Sequence, residues 1–441
     1  MSAPETNSRP SQKSKVWNNF GQLVTGRLVS AVLTLLATAV MARALGPSEF
    51  GLVVLLHTYV LTVRALLNLK PAETFVNFGV GLIDAGDKAQ TNRLLGLIRS
   101  FEWVTMLLAT ALGVLAAPLI GPLLGLPDSA IGVLMAYSLV LLTSPVGTSR
   151  GFCRATERFD VLRSAIAIGP AVRLAGVLLA WHFSASWHYF ALAWAVSLAA
   201  AYLFLGWRGR RLMRSGGFKA EHISWRQANI EFSGLPGFVG VVYTQGLLDQ
   251  LPKQLITLLI GGFLGTASAG IYRVAREIAD VLAKPVQLIR QAAFTEITRI
   301  RETGANGHAN LAQVFMSYGF KMLLPALLLV AAVSYFREEL LTAIAGADYA
   351  VAGVLLVLLL IAAAIELVGA VLRPTAYAFG KATVALRVQI VAMLSYVLVF
   401  IGLSQSYGLI SVGFAALVAA SVTLVVLGGL VWRWSRAAAA N

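Results

Sequence analysis

The chain has 441 residues, of which 58% are apolar and 12% charged, with a formal net charge of +15 and a mean hydropathy of +0.77. So few charges cannot cover the surface of a water-soluble enzyme of this length. The recurring windows of roughly 20 mainly apolar residues instead match a hydrocarbon core ~30 Å thick.

The chain opens on Arg9, Lys13 and Lys15 and leads into a long apolar stretch without a small-residue cleavage site. Residues 1–19 therefore read as a cytoplasmic tail, not a signal peptide. Twelve spans follow, centred near Leu33, Val60, Leu108, Tyr137, Arg173, Val196, Asp249, Leu282, Leu324, Leu358, Leu394 and Val422. Residues 20–207 form a predicted N-terminal six-helix bundle and 208–230 a basic cytoplasmic linker. Residues 231–432 form a C-terminal six-helix bundle, and 433–441 a cytoplasmic tail. Loop charges fix the orientation. One set of loops carries twenty-five lysines and arginines, among them Lys70, Arg99, Arg150 and the run Arg208, Arg210, Arg211 and Arg214, while the alternate set holds only Arg43 and Arg337. That asymmetry places both termini and the linker in the cytoplasm. It also accounts for most of the positive charge, so no nucleic-acid partner is implied. The single Cys153 excludes a disulfide framework.

Two echoes point to an internal duplication. Leu45-Gly46 with Gly51-Leu52 recurs as Leu264-Gly265 with Gly270-Ile271, 219 positions later. Arg150, Ala155 and Arg158 recur as Arg373, Ala378 and Lys381, 223 positions later. Six spans per copy is an even number, so both halves insert the same way up and can rock about a shared site. The predicted fold is an all-α polytopic membrane protein, with 12 transmembrane helices in two pseudo-symmetric six-helix bundles around a central cavity.

Eight basic residues fall inside the spans: Arg27, Arg64, Arg173, Lys253, Arg273, Arg276, Lys284 and Lys321. Only Asp249, Glu277, Asp280 and Glu366 are counted as acids beside them. Eight lipid-facing bases would cost roughly 20–28 kcal/mol gross, at ~2.5–3.5 kcal/mol each. That exceeds the ~5–15 kcal/mol net stability of a typical domain. The surplus implies a wet, cationic cavity suited to an anionic cargo. Arg273, Arg276, Glu277, Asp280 and Lys284 share one face of the eighth span, Asp249 and Lys253 form a ladder in the seventh, and Arg64 follows His57 in the second. Other readings compete: Arg27, Arg273 and Lys321 lie near helix ends and can snorkel. Asp249–Lys253 and Asp280–Lys284 have the spacing of structural ion pairs, and Glu366 can serve a proton or cation relay or pair with Lys321.

The five histidines show no metal-ligand spacing, so no metal or other cofactor is expected. Gly234-x2-Gly237-x2-Gly240 fits neither a dinucleotide fingerprint nor a P-loop and reads as a seam for close helix packing.

Three segments resemble the polysaccharide (Wzx-type) flippases of the multidrug/oligosaccharidyl-lipid/polysaccharide exporter (MOP) superfamily: residues 42–52, 150–159 and 249–272. The resemblance covers essentially the whole chain. It implies a transporter, not an enzyme, located in the bacterial inner membrane. Its cargo would be an undecaprenyl-diphosphate-linked oligosaccharide, moved from the cytoplasmic to the periplasmic leaflet by alternating access for exopolysaccharide, capsule or O-antigen synthesis. Arg27, Arg64, Lys253, Arg273, Arg276 and Lys284 are then the candidate pyrophosphate-binding cations. Asp249, Glu277, Asp280 and Glu366 are the candidates for coupling to H+ or Na+. Membrane lipid and the polymerase and export proteins of the same pathway are the partners it implies. Two alternatives stand beside it: a cation-coupled multidrug exporter of the same superfamily, and a membrane polysaccharide polymerase.

Overall fold

The computed structural model describes residues 12–302 and 324–440, and among them every regular element is helical. In chain order these are α1 (Gln12–Leu67), α2 (Pro71–Asp84), α3 (Lys88–Leu123), α4 (Asp128–Ser138), α5 (Gly147–Ala155), α6 (Phe159–His182), α7 (Trp187–Ser215), α8 (Trp225–Glu231) and α9 (Leu235–Glu302). Next come α10 (Leu324–Tyr335), α11 (Arg337–Ala345), α12 (Gly353–Val368), α13 (Leu372–Ala378), α14 (Ala382–Tyr407), α15 (Ile410–Val422) and α16 (Gly428–Ala440).

Nine stretches among the described residues are long and apolar enough to cross a membrane. Two of them are double length: 43 residues in α1 and 48 in α9. Each breaks at a glycine, Gly46 at φ 68°, ψ 175° and Gly265 at φ 82°, ψ 172°. A side chain is strained in that region of backbone space. Splitting both helices there gives eleven stretches, and the shorter apolar helix α10 follows in the region of the ninth span read from the sequence.

The kinks share nearly the same dihedral angles 219 positions apart, so the echo is one of conformation as well as letters. The second echo behaves alike. α5 ends at Ala155 and α13 at Ala378. Glu157 and Gly380 then turn left-handed, at φ 55° and 70°. The Arg158 amide donates to the Cys153 carbonyl at 2.7 Å, and the Lys381 amide to the Ala376 carbonyl at 2.9 Å. The two copies close their helices with the same bond.

The chain divides into two compact units. Unit 1 comprises residues 1–37, 59–118 and 131–249; unit 2 comprises 38–58, 119–130 and 250–441. In unit 1, α2 packs on α5, and α7 on α6 and α5. Phe75, Leu94, Phe152, Ile223 and Phe232 form one buried cluster there, with Phe152 edge-on to Phe218 at 5.4 Å. Residues 71–84, which lie between two of the spans read from the sequence, are the helix α2. Pro71 suits a first helical turn, Glu73 complements the helix dipole there, and Ala72, Thr74, Phe75 and Gly79 are buried. Polar bonds hold the stretch after α7 onto α3. Asn92 bonds Glu221 at 2.8 Å and the Lys219 amide at 2.9 Å, and Arg93 pairs with Glu231 at 2.7 Å. Among the described residues the seam expected at Gly237 and Gly240 is not there, because outside the helix's own backbone nothing lies within 4 Å of where a Cβ would stand at either.

In unit 2, α15 packs on α12 and α14, and Leu372, Ala376, Ala385, Val388, Leu427 and Val431 form a buried cluster. Its tightest contact joins the two echoed segments. A Cβ on Gly51 would overlap the Thr266 carbonyl oxygen, and one on Gly270 would overlap that of Pro47. Small residues let backbones meet this closely in a membrane, where van der Waals contact drives helix association. Around the crossing, Phe50 stands edge-on to Tyr349 at 6.4 Å, the Tyr349 hydroxyl donates to the Ala42 carbonyl at 3.4 Å, and Arg43 donates to the carbonyl of Ala343. Arg43 is therefore a helical residue with a backbone partner, not the loop charge its sequence position indicated.

Gly51→Val or Gly270→Val is expected to destabilise the protein by about 3 kcal/mol or more, seen as a large drop in melting temperature in detergent. Gly402→Ala, in the middle of α14 with open space around it, should be neutral or stabilising by about 0.5–1 kcal/mol. Equal effects at the two kinds of site would overturn the crossing as a structural determinant.

Candidate functional site

Arg64 sits in the last turn of α1, where a cation is favoured by the helix dipole. It is half-buried, its guanidinium lies over the Tyr202 ring of α7 at 4.8 Å, and its Nε is buried without a hydrogen-bond partner. Six residues on, Lys70 precedes Pro71. A following proline disfavours the right-handed helical region, and Lys70 adopts φ 55°, ψ 50°, the left-handed region. The Asn68 Oδ1 steadies the turn by accepting from the Lys70 amide at 3.1 Å. The Lys70 stem crosses α9 over Gly246, where any Cβ would overlap it, and the Tyr243 hydroxyl of the same segment donates to the Leu66 carbonyl at 2.6 Å.

Burial pushes the Lys70 ammonium below the ordinary lysine range; Arg64 and Arg150 push it the same way, against Glu73 and Asp249. Arg64, Lys70 and Arg150 are thus three cations within electrostatic reach of one another in unit 1. Two of the neighbouring acids are engaged elsewhere. Glu73 pairs with Arg154 at 3.3 Å. Glu102, buried in α3, accepts from the Gly147 amide, the Thr148 amide at 3.1 Å and the Thr148 hydroxyl at 2.7 Å. It therefore caps the N-terminus of α5, the helix that carries Arg150.

The second charged group lies on α9 in unit 2. Arg273 pairs with Glu277 at 2.8 Å and Arg276 with Asp280 at 3.1 Å, both four residues apart. The acid at 280 thus faces back to Arg276, where the sequence also offered Lys284 as its partner. Glu366 on α12 is exposed and within electrostatic reach of Arg276. The Nε of Arg273 is buried without a hydrogen-bond partner.

Of the remaining sequence candidates, Arg27, Lys253 and Asp249 are exposed. Arg173 lies over the Trp194 ring at 4.5 Å and reaches Ser197 at 3.4 Å. Lys321 and the side chain of Lys284 lie outside the described residues. Among those residues no three His, Cys, Asp or Glu side chains gather as metal ligands. Lys70, Arg150 and Glu102 were missed as site residues. Glu102 was readable, as a carboxylate in an apolar stretch; Lys70 and Arg150 carried only a loop signature.

Lys70 gives a pH test. Its pKa is depressed in the fold, so between that value and the ordinary ~10.4 of a free lysine the unfolded chain binds more protons and stability rises with pH. Lys70→Met is expected to melt higher than wild type at neutral pH and to lose that part of the alkaline rise. Parallel melting curves against pH would show that Lys70 is not held under electrostatic strain.

Residues 40–353 match the family model described as "Polysaccharide biosynthesis protein". Inner membrane protein YghQ of Escherichia coli is 24% identical over 283 residues, which cover 64% of this chain and 80% of that protein. Among solved structures, the lipid II flippase MurJ in an inward closed conformation superposes with a TM-score of 0.73 at 11% identity, covering 92% of this chain and 86% of that one. An inward-facing multidrug resistance MATE family transporter of the MOP superfamily superposes with a TM-score of 0.67 at 16% identity, covering 93% and 96%. The chain is a multi-pass membrane protein that belongs to the polysaccharide biosynthesis protein family and shares its fold with these two transporters.

Proposed function

We propose that this protein flips undecaprenyl-diphosphate-linked oligosaccharides from the cytoplasmic to the periplasmic leaflet of the inner membrane by alternating access. The observation that carries this reading is the cation cluster of unit 1, Arg64 with Lys70 and Arg150. A diphosphate leaving water needs charge-assisted hydrogen bonds in place of its hydration. Arg64 lies over the Tyr202 ring and, among the described residues, forms no salt bridge, and arginine's planar fork suits phosphate oxygens. Lys70 adds a point charge whose burial beside Arg64 and Arg150 a bound anion offsets.

The α9 pairs serve the same cargo differently. Arg276 is neutralised by Asp280 and released when that carboxylate takes up a proton, so protonation at Asp280 converts a closed ion pair into an anion receptor. Glu277 holds Arg273 by the same arrangement, and Glu366 is placed to tune Arg276. In this scheme coupling falls to the acids and cargo recognition to the arginines. Membrane orientation follows the loop charges, with the Lys70 and Arg150 ends of their helices at the cytoplasmic face.

The fold is also that of multidrug exporters, so cargo is the quantity to test. Flipping of a fluorescent undecaprenyl-diphosphate oligosaccharide in proteoliposomes is expected in wild type. It should fall about tenfold or more in Arg64→Ala, one charge-assisted bond to a diphosphate being worth about 1.5–3 kcal/mol. Asp280→Asn should keep binding and lose its dependence on the imposed proton or Na+ gradient. Transport of a small cationic dye in place of the lipid, or full flipping in a folded Arg64→Ala protein, would reject the lipid-linked cargo.

A further inference from the structure

Outside the Arg64 cluster, unit 1 holds a pocket between α3, α5 and α7. Its mouth carries Arg99 and Arg210, its floor Thr148, Ser149 and Tyr202, and its rim includes Trp103, Leu142 and Leu203. The rim side chains are 38%, 40% and 54% exposed, an apolar border beside the charged mouth. Among the described residues neither Arg99 nor Arg210 forms a salt bridge. The one acid in the lining is Glu102, whose carboxylate is occupied at the N-terminus of α5. The pocket is thus amphipathic in a definite order, with cations at the mouth, hydroxyls on the floor and bare leucine and tryptophan alongside.

We infer that this pocket binds the phosphate of an anionic membrane phospholipid, with its acyl chains along Leu142 and Leu203. A free phosphate ion would have no use for the apolar rim. The loop-charge asymmetry puts the Arg99 and Arg210 ends of α3 and α7 on the cytoplasmic side, where basic pockets between membrane helices meet anionic headgroups. Arginine forks at the headgroup level supply bidentate contacts to a phosphodiester, and Trp103 is the side chain that prefers the interface. The site stands whatever cargo is transported.

The test is native mass spectrometry of the detergent-purified full chain with phosphatidylglycerol or phosphatidylcholine, alongside melting curves. Wild type is expected to retain phosphatidylglycerol over phosphatidylcholine and to melt higher with it. Arg99→Gln/Arg210→Gln should lose that retention about tenfold and lose the thermal shift, while melting normally without lipid. Arg208→Gln/Arg214→Gln removes two charges from the same end of α7 outside the pocket, and should keep both. Equal retention by the pocket variant, or equal loss in the control pair, overturns the site. Equal retention of phosphatidylcholine, displacement by inorganic phosphate, or preference for undecaprenyl phosphate over phosphatidylglycerol rejects an anionic phospholipid as its occupant.

Discussion

The contact of Gly51 with Thr266 and of Gly270 with Pro47 sets the terms for the rest of unit 2. Two helices meet there at backbone distance, immediately after matching left-handed kinks at Gly46 and Gly265. Lipid offers no hydrophobic gain from bringing helices together, so the approach must be held by close packing and by bonds the bilayer cannot replace. Tyr349 and Arg43 provide those, each donating to a carbonyl beside the crossing. A glycine at each of four positions makes this possible, and the spacing of those glycines is the duplication itself. The repeat is thus a packing requirement written twice.

Charge is handled in two ways within the same chain. On α9 the bases sit four residues from their acids, and the pairs are neutral on the surface of one helix. Such pairs depend little on the rest of the fold. In unit 1 the cations come from three elements, α1, the turn before α2, and α5. Two of the neighbouring acids are spent on other tasks, Glu73 on Arg154 and Glu102 on the start of α5, while Asp249 acts on Lys70. A cation over an aromatic ring, as Arg64 is over Tyr202, is stabilised without being neutralised. That distinction separates a held charge from an available one.

The same distinction governs what could be read from the sequence. Twelve spans and the shared face of Arg273, Arg276, Glu277 and Asp280 are properties of local spacing, and hydropathy with helical period was enough to find them. The repeat was legible because glycine and a left-handed turn leave letters behind. Lys70 and Arg150 were counted as topological charges because each stands at a helix end, eighty residues apart, and only tertiary packing joins them. Helix α2 was invisible as a helix because its burial depends on Phe152 of α5. Gly246 gave no sign that a lysine stem would lie across it. The glycines at 237 and 240 erred the other way, having the spacing of a packing seam and no neighbour to pack on.

Glu102 and Tyr202 belong to both anion-directed regions of unit 1. Tyr202 lies under Arg64 and lines the floor of the Arg99–Arg210 pocket. Glu102 fixes the first turn of α5, which carries Thr148 and Ser149 toward the pocket and Arg150 toward Arg64 and Lys70. The two regions therefore share a mount while having separate charges. Occupancy of one can reach the other through α5, the Tyr202 ring and the field of Arg64 on Glu102, and any such coupling is equal in both directions. Loss of the Glu102 carboxyl releases three donors at once and disturbs both regions together. Arg64 belongs to one region alone, and Arg99 with Arg210 to the other, so the two proposed roles can be separated by substitution at the guanidinium groups but not at the acid beneath them.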